Sequence, residues 1–259
     1  MEFLTTHALQ GRSSDIKRLS LACVIALLVT LPARAGDLAV SVTQIPFTAI
    51  EPPREDMPAV GPLSLELGLG VGFPKMDPLN DYIQWINRNN TGDIDDIDTC
   101  HIYTGRLGYR PRPGLRVGVG YDYLEADTEG TVIFFGAPRA VSIDLDVKGV
   151  FLFLEKDWPL SVGPVNFLTG ARATTGYYWS SYVETEKSYR ASGKDEAVGI
   201  ELGVSLSWLI RRHLSLTVEG AYRWLEFDDY GVAWVSPGNP DAEVDFSGPL
   251  VRVFLGGHF

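Results

Sequence analysis

From Pro62 to Phe259, apolar side chains recur at every second position almost without interruption. Side chains alternate between the two faces of a strand, so a period of two over so long a stretch predicts strands throughout. Eight segments carry it. Residues 63–73 set Leu63, Leu65, Leu67, Leu69, Val71 and Phe73 against Ser64, Glu66 and three glycines. Residues 100–109 set Tyr103, Leu107 and Tyr109 against Thr104 and Arg106, and residues 115–124 set Leu115, Val117, Val119, Tyr121 and Tyr123 against Arg116, Gly118, Gly120 and Asp122. Residues 142–155 place Ile143, Leu145, Val147, Phe151 and Phe153 opposite Asp144, Asp146 and Lys148. The second half of that segment is apolar on both faces, which points to a bulge or register change. Residues 165–179 oppose Val165, Phe167, Ala171, Ala173, Tyr177 and Trp179 to Asn166, Gly170, Arg172 and Thr174. Residues 198–210 oppose a run of Val, Ile, Leu and Trp to Gly199, Glu201, Gly203, Ser205 and Ser207. Residues 214–225 place Leu214, Leu216, Val218, Tyr222 and Trp224 against Ser215, Thr217, Glu219 and Arg223. The closing stretch alternates Val251, Val253, Leu255 and Phe259 with Arg252, Phe254 and His258.

These runs exceed the usual strand of about 5–6 residues and match the roughly 9–11 that a tilted strand needs to cross a bilayer. The connections alternate. Those at 110–114, 156–164 and 211–213 are short, and those at 74–99, 125–141, 180–197 and 226–247 are long. An even strand number with short turns on one rim and long loops on the other is the plan of a transmembrane β-barrel. A soluble barrel of lipocalin type would alternate too, with its apolar face inward. Three features favour the membrane. The polar face is rich in glycine, which suits a crowded lumen better than a solvated surface. It carries Arg106, Arg116, Lys148, Arg172, Arg223 and Arg252 with Glu66, Asp122, Asp144, Asp146, Glu201 and Glu219, equal numbers of each sign, as buried charges require. The apolar face is free of charge until Glu155, and its aromatics gather at two levels. Phe73, Tyr121, Tyr123, Tyr177, Trp179, Tyr222 and Trp224 lie towards the long loops; Tyr109, Phe151, Phe153, Phe167, Trp208 and Phe259 lie towards the short turns. The predicted fold is an all-β, eight-stranded antiparallel up-and-down transmembrane barrel over residues 62–259.

The start of the chain agrees. Lys17 and Arg18 precede an apolar run from Leu19 to Leu31, followed by Ala33-Arg34-Ala35. A basic region, a short apolar core and an A-x-A site predict a secretory signal peptide, residues 1–35. Residues 36–61, rich in proline, form a periplasmic lead-in. Removing the first 35 residues takes away four cations (Arg12, Lys17, Arg18, Arg34) and two anions (Glu2, Asp15), so the formal charge moves from -11 to about -13. Such a chain is a poor partner for nucleic acid. Only Cys100 survives the cut, which excludes an intrachain disulfide.

Taken together, the strand plan, the loop asymmetry and the terminal "VRVFLGGHF" resemble the small eight-stranded outer-membrane barrels of Gram-negative bacteria, the superfamily of OmpA-type and OmpW-type proteins. The resemblance implies an integral outer-membrane location with both termini in the periplasm, contact with outer-membrane lipid and lipopolysaccharide, and recognition of the last strand, ending in Phe259, by the barrel-assembly machinery. It also raises the prospect of lipid modification, since deacylases of this architecture use His, Ser and an acid near the outer leaflet. His213 and Ser215 look superficially similar, but they sit at a short turn without a matching acid.

Other candidate chemistry is sparse. "NRNNTGDIDDID", residues 87–98, can be laid on a calcium-loop template with Asn87, Asn89, Thr91 and Asp98 as ligand positions and Gly92 at the turn, after a short helix in "DYIQWINRN". Asn stands for the first Asp, Asp for the final Glu, and a strand follows where a helix should, so a solvated acidic loop is the expectation. His101 has Asp98 near it but no nucleophile, and His258 points into the lumen as a pairing or capping residue. No catalytic, metal or cofactor-binding residue is assigned. An eight-stranded barrel is just wide enough for side chains to fill it, and Leu124, Leu152, Leu154, Leu209 and Phe254 are placed there beside the charges. The expected role is structural or surface-interacting, exercised through four long loops that display Tyr82, Trp85, Tyr182, Tyr189, Tyr230 and Trp234. The alternatives are a narrow path for small or apolar solutes and, behind it, a lipid-modifying enzyme.

Overall fold

In the computed structural model, β1 (Leu63–Gly72), β2 (Cys100–Arg112), β3 (Leu115–Phe134), β4 (Ala137–Val162), β5 (Val165–Glu186), β6 (Tyr189–Arg211), β7 (Leu214–Trp224) and β10 (Gly248–His258) close into one antiparallel ring. A helix, α1 (Asp77–Asn90), follows β1, and a two-residue ladder, β8 (Glu226–Phe227) with β9 (Val244–Asp245), follows β7. The structure describes residues 60–162, 165–186, 189–211, 213–228 and 243–259. The predicted signal peptide, nearly all of the lead-in, Tyr230, Trp234 and the side chain of Tyr189 lie outside the described residues.

Every ring strand pairs with its sequence neighbour, and the last pairs with the first. Ser64 faces His258 and Gly72 faces Leu250 across the closing seam. The Leu63 amide donates to the Phe259 carbonyl at 3.1 Å, and the Phe259 amide returns to Leu63 at 2.9 Å. The final aromatic is thus inside the ladder, not beyond it.

The wall is uneven. β1, β7 and β10 span 10, 11 and 11 residues, but β3 to β6 span 20, 26, 22 and 23. Residues 125–141 and 180–197, expected as loops, are the upper halves of two tall hairpins, β3–β4 and β5–β6, paired out to Phe134–Ala137 and Glu186–Tyr189. Residues 156–162, expected within a short turn, continue β4 down to Val162.

The tall strands traverse two environments, and their alternation inverts between them. Below the level of Tyr123, the outward face is apolar: Leu67, Leu107, Val119, Leu152, Val204 and Val253 are all exposed. The inward face carries the charges. Above that level, Ile143, Leu145 and Val147 point inward and are fully buried, while Asp127, Asp144 and Lys148 point outward. An outer surface wants apolar groups against lipid and polar groups against water, so a straight strand crossing the boundary must reverse its hydrophobic phase.

That inversion corrects the sequence-based assignment of β4. Asp144, Asp146 and Lys148 do not enter the lumen, and Leu152 and Leu154 do not either; they face outward. Phe151 and Phe153 leave the predicted lower girdle and point inward, and Glu155 is buried in the lumen. The expected bulge is absent: the pairing of β4 to both neighbours runs without a register shift. The Phe rings fill space vacated by glycine, since a Cβ on Gly120 would lie 2.2 Å from the Phe151 ring and one on Gly118 would lie 2.7 Å from Phe153. Trp158 instead joins Tyr109, Trp208 and Phe259 in the lower aromatic ring.

The outward orientation of Leu152 has a measurable consequence. Leu152→Arg should lower the stability of the barrel refolded into phosphatidylcholine vesicles by about 2–4 kcal/mol. Lys148→Leu, four residues up the same face, should change it by less than about 1 kcal/mol. Denaturant titration of both variants checks the assignment.

Candidate functional site

The lower lumen is an ionic lattice. Six arginines (106, 110, 116, 172, 223 and 252) and six acids (Glu66, Asp122, Glu155, Asp157, Glu201 and Glu219) point into it from all eight ring strands. The sequence-based balance survives, but with different members: Glu155, Asp157 and Arg110 take the places given to Asp144, Asp146 and Lys148.

Two carboxylates organise the centre. Glu219 on β7 accepts two hydrogen bonds from the Arg106 guanidinium, at 2.9 and 3.1 Å, and a third from Arg252 Nε at 2.9 Å, and it also pairs with Arg172. Glu201 on β6 accepts from Arg172 at 3.0 Å and from Arg223 at 2.8 and 3.1 Å, and pairs with Arg252. Asp122 accepts from the Thr104 hydroxyl at 2.6 Å and completes the pairing of Arg223. Lower down, Arg116 lies between Glu66 and Glu155, with Ser205 donating to Glu155 at 2.9 Å. The Phe254 ring sits among them, 3.8 Å from the Arg106 guanidinium centre, a cation–π contact in a desolvated setting. Nearly all these groups are buried, so each depends on its partners to offset the loss of water.

Above the lattice the filling becomes apolar. Tyr178, Leu124 and Ile102 begin a continuous cluster that runs through Ile143, Leu145 and Tyr182 to Leu79, Ile83 and Ile86 on α1. Where Arg223 meets Cys100, Ile102, Leu124 and Leu250, a cavity of about 10 Å³ has the size of one water. The helix begins with Asp77 and Pro78, which suits a first turn with free N–H groups. Two asparagines on α1, seven residues apart, tie down the chain that follows. Asn80 accepts from the Ile97 amide at 2.8 Å and donates to its carbonyl at 3.2 Å; Asn87 does the same to Ile94, at 3.0 and 2.8 Å. Asn87 and Asn89, the first two positions of the calcium template, therefore stand on the helix with their side chains engaged by backbone. The short helix expected before that loop is present and longer than expected.

The remaining sequence candidates separate. His258 Nε2 is 2.9 Å from the Ser215 hydroxyl, both 1 % exposed, but its Nδ1 faces Arg110 at 3.4 Å instead of an acid. His213 lies 2.9 Å from the His258 carbonyl. That arrangement caps the seam and leaves the His258 imidazole without the acid that would orient it as a base for Ser215. His101 is exposed on the outer wall opposite Glu125. No group of three metal-ligating side chains occurs among the described residues.

On the outer wall, beside Trp179, an open groove of about 700 Å³ is lined by Asp146, Lys148, Lys194, Asp195 and Glu196. Tyr123 donates to Asp146 at 2.6 Å, and Tyr177 to Glu196, so the upper aromatic ring is tied to the first charged row above it. Higher still, burial and then the nearby Asp127 and Asp146 raise the Asp144 carboxyl above its ordinary range.

This chain is similar to solved outer-membrane proteins. Neisserial surface protein A matches over 77% of this chain and 99% of its own, at 13% identity and a TM-score of 0.44. OprG from Pseudomonas aeruginosa matches over 77% and 96%, at 12% identity and 0.42. The outer membrane protease OmpT from Escherichia coli matches over 78% and 96%, at 9% identity and 0.36. The likeness concerns the fold alone. No family model and no curated protein matches the sequence.

Sequence reasoning missed Glu155, Asp157 and Trp158, although all three were in reach. Glu155 and Asp157 share the parity of Phe151 and Phe153, and Trp158 shares that of Leu152 and Leu154. Reading the charges of the lower half alone would have set the face of β4 correctly.

The lattice makes a sharp prediction. Glu219→Gln leaves Arg106, Arg172 and Arg252 short of a charge partner and should cost about 3–5 kcal/mol in equilibrium unfolding. Arg139→Gln, which breaks the partly exposed Arg139–Glu186 pair near the upper rim, should cost less than about 1 kcal/mol.

Proposed function

We propose that this protein is an integral outer-membrane barrel with a closed lumen, acting as a structural or surface-interaction protein through what it raises above the bilayer. The observation that carries the reading is the inversion of alternation along β3 to β6. Apolar side chains line the outside where charges fill the inside, and the arrangement reverses above Tyr123. A soluble barrel has no use for a naked apolar belt bounded by aromatic rings.

On this reading the short-turn rim, with the seam of β1 and β10, lies in the periplasm, and the tall hairpins and α1 lie outside the cell. Lys148 is paired opposite Trp179, and Lys194 opposite Ser181 one step further up the same face. That is headgroup level, where they meet phosphates of lipopolysaccharide. Phe259 is the assembly signal on the last strand. Lattice and apolar cap together block solute passage. A non-enzymatic role is supported by the engagement of every lumen carboxylate with arginine or hydroxyl and by the burial of the Ser215–His258 pair.

Membrane fractionation and gel mobility before and after boiling test the core of this. The protein is expected in the outer membrane, with a heat-dependent shift; a soluble periplasmic protein without one would sink the reading. In planar bilayers it should conduct no stable unitary current. Stable currents abolished by lumen charge substitutions would establish the narrow-path alternative. Deleting Phe259 should reduce the amount reaching the outer membrane more than it changes the unfolding of what does arrive.

A further inference from the structure

The tip of the β3–β4 hairpin carries a residue that its own backbone disfavours. Phe135 at φ 51° and Gly136 at φ 78° form the two-residue turn. Turns with two positive φ angles take Asn, Asp or Gly at the first position, because a bulky side chain crowds the backbone there. Phe135 is also 95 % exposed, so its ring gains little from folding beyond an edge contact with Phe134 at 5.1 Å. Ile133 beside it is 45 % exposed, and residues 133–138 contain no polar side chain. Behind them Arg139 lies 5.3 Å over the Phe134 ring and pairs with Glu186. Neither turn chemistry nor internal packing accounts for an aromatic at this point.

We infer that this tip is a membrane wedge, which inserts Phe135 and Ile133 into the surface of a second, facing lipid bilayer. The inference rests on the outer-membrane reading above. Two features select lipid over protein. Two side chains bury at most a few hundred Å², far below the roughly 1,200 Å² of a specific protein interface. The tip is also convex: a Cβ on Gly136 would meet nothing within 4 Å. A bilayer rewards depth of insertion and asks for no matching shape. Geometry excludes the barrel's own membrane, since eleven residues of β3 beyond Tyr123 carry the tip about 35 Å along the strand away from it. Charge selects the lipid. The stem below the tip is acidic outside, with Asp127, Glu129 and Asp144, so a zwitterionic surface is favoured over an anionic one.

The test uses the full chain in lipid nanodiscs, which leave both rims accessible, floated with phosphatidylcholine vesicles against empty nanodiscs as the blank. Phe135→Asn removes the ring but suits the positive φ, so the turn is kept; Phe135→Trp retains an aromatic. The parent protein and Phe135→Trp should co-float, the latter with a blue shift in its emission. Phe135→Asn should bind about tenfold more weakly, with its heat-dependent gel shift intact. Adding anionic phosphatidylglycerol to the vesicles should weaken flotation. Failure of the parent to float, equal flotation of Phe135→Asn, or a tip effect seen only on self-association of the nanodiscs would overturn the wedge and leave the barrel standing. A chain that never enters nanodiscs would overturn both.

Discussion

Hydrocarbon offers no hydrogen-bond partner, so each backbone N–H and C=O at that depth must be satisfied within the chain, and a sheet can do so only by closing on itself. Here closure is made by β1 and β10, from the Leu63–Phe259 exchange at the rim to the Gly72–Leu250 pair above. Much else follows from that ring. Eight strands enclose a space that side chains must fill. Groups placed there lose water, so charges come in compensating numbers and share partners. Glu219 and Glu201 each serve several arginines, which keeps most guanidinium and carboxylate groups bonded in a volume with little room for water. Glycine on the inward face of β1 and β3 is the geometric complement, giving place to Phe254, Phe151 and Phe153.

Above the apolar belt the same wall has to solve a different problem. Water surrounds it, and the short strands β7, β10, β1 and β2 leave one side of the tall hairpins without sheet neighbours. Helix α1 and the β8–β9 ladder supply the missing cover, so that Leu79, Ile83, Phe227 and Val244 meet the inward residues of the hairpins in a core of ordinary globular kind. The protein is built as a membrane barrel below and as a small α+β cap above, continuous through the same four strands. Rigid display of the upper hairpins follows from that continuity, because their inner faces are packed along much of their length.

Most of the architecture was legible in the alternation. Strand number, outward face and ring order could be read wherever charged or glycine positions marked the lumen, as in β1, β3, β6, β7 and β10. β4 failed for an identifiable reason. Its lumen face in the belt is phenylalanine, not charge, and its upper half follows the opposite rule, so extending the parity of Ile143, Leu145 and Val147 downward put Leu152 and Leu154 inside. The hairpins were hidden for a related reason. Residues 125–141 carry most of their charges on the outer face, and 180–197 carry Glu184 inward with Lys194 and Glu196 outward, a mixture that also describes a solvated loop to composition. The lower aromatic ring lost Phe151 and Phe153 and gained Trp158 by the same change of parity.

Local pattern by itself determined that this chain makes long paired strands with short turns on one rim, that its lumen is electrically balanced, and that its closing stretch is a strand. Those properties are carried by the period of two and by residue type, which survive without knowledge of neighbours. Which carboxylate meets which arginine, where water takes over from lipid as the outer solvent, and that Asn80 and Asn87 tie α1 to the chain that follows it were decided only by tertiary structure. The reason is that parity says which face a side chain takes but not what that face touches, and the boundary between two solvents lies at a height set by the whole ring.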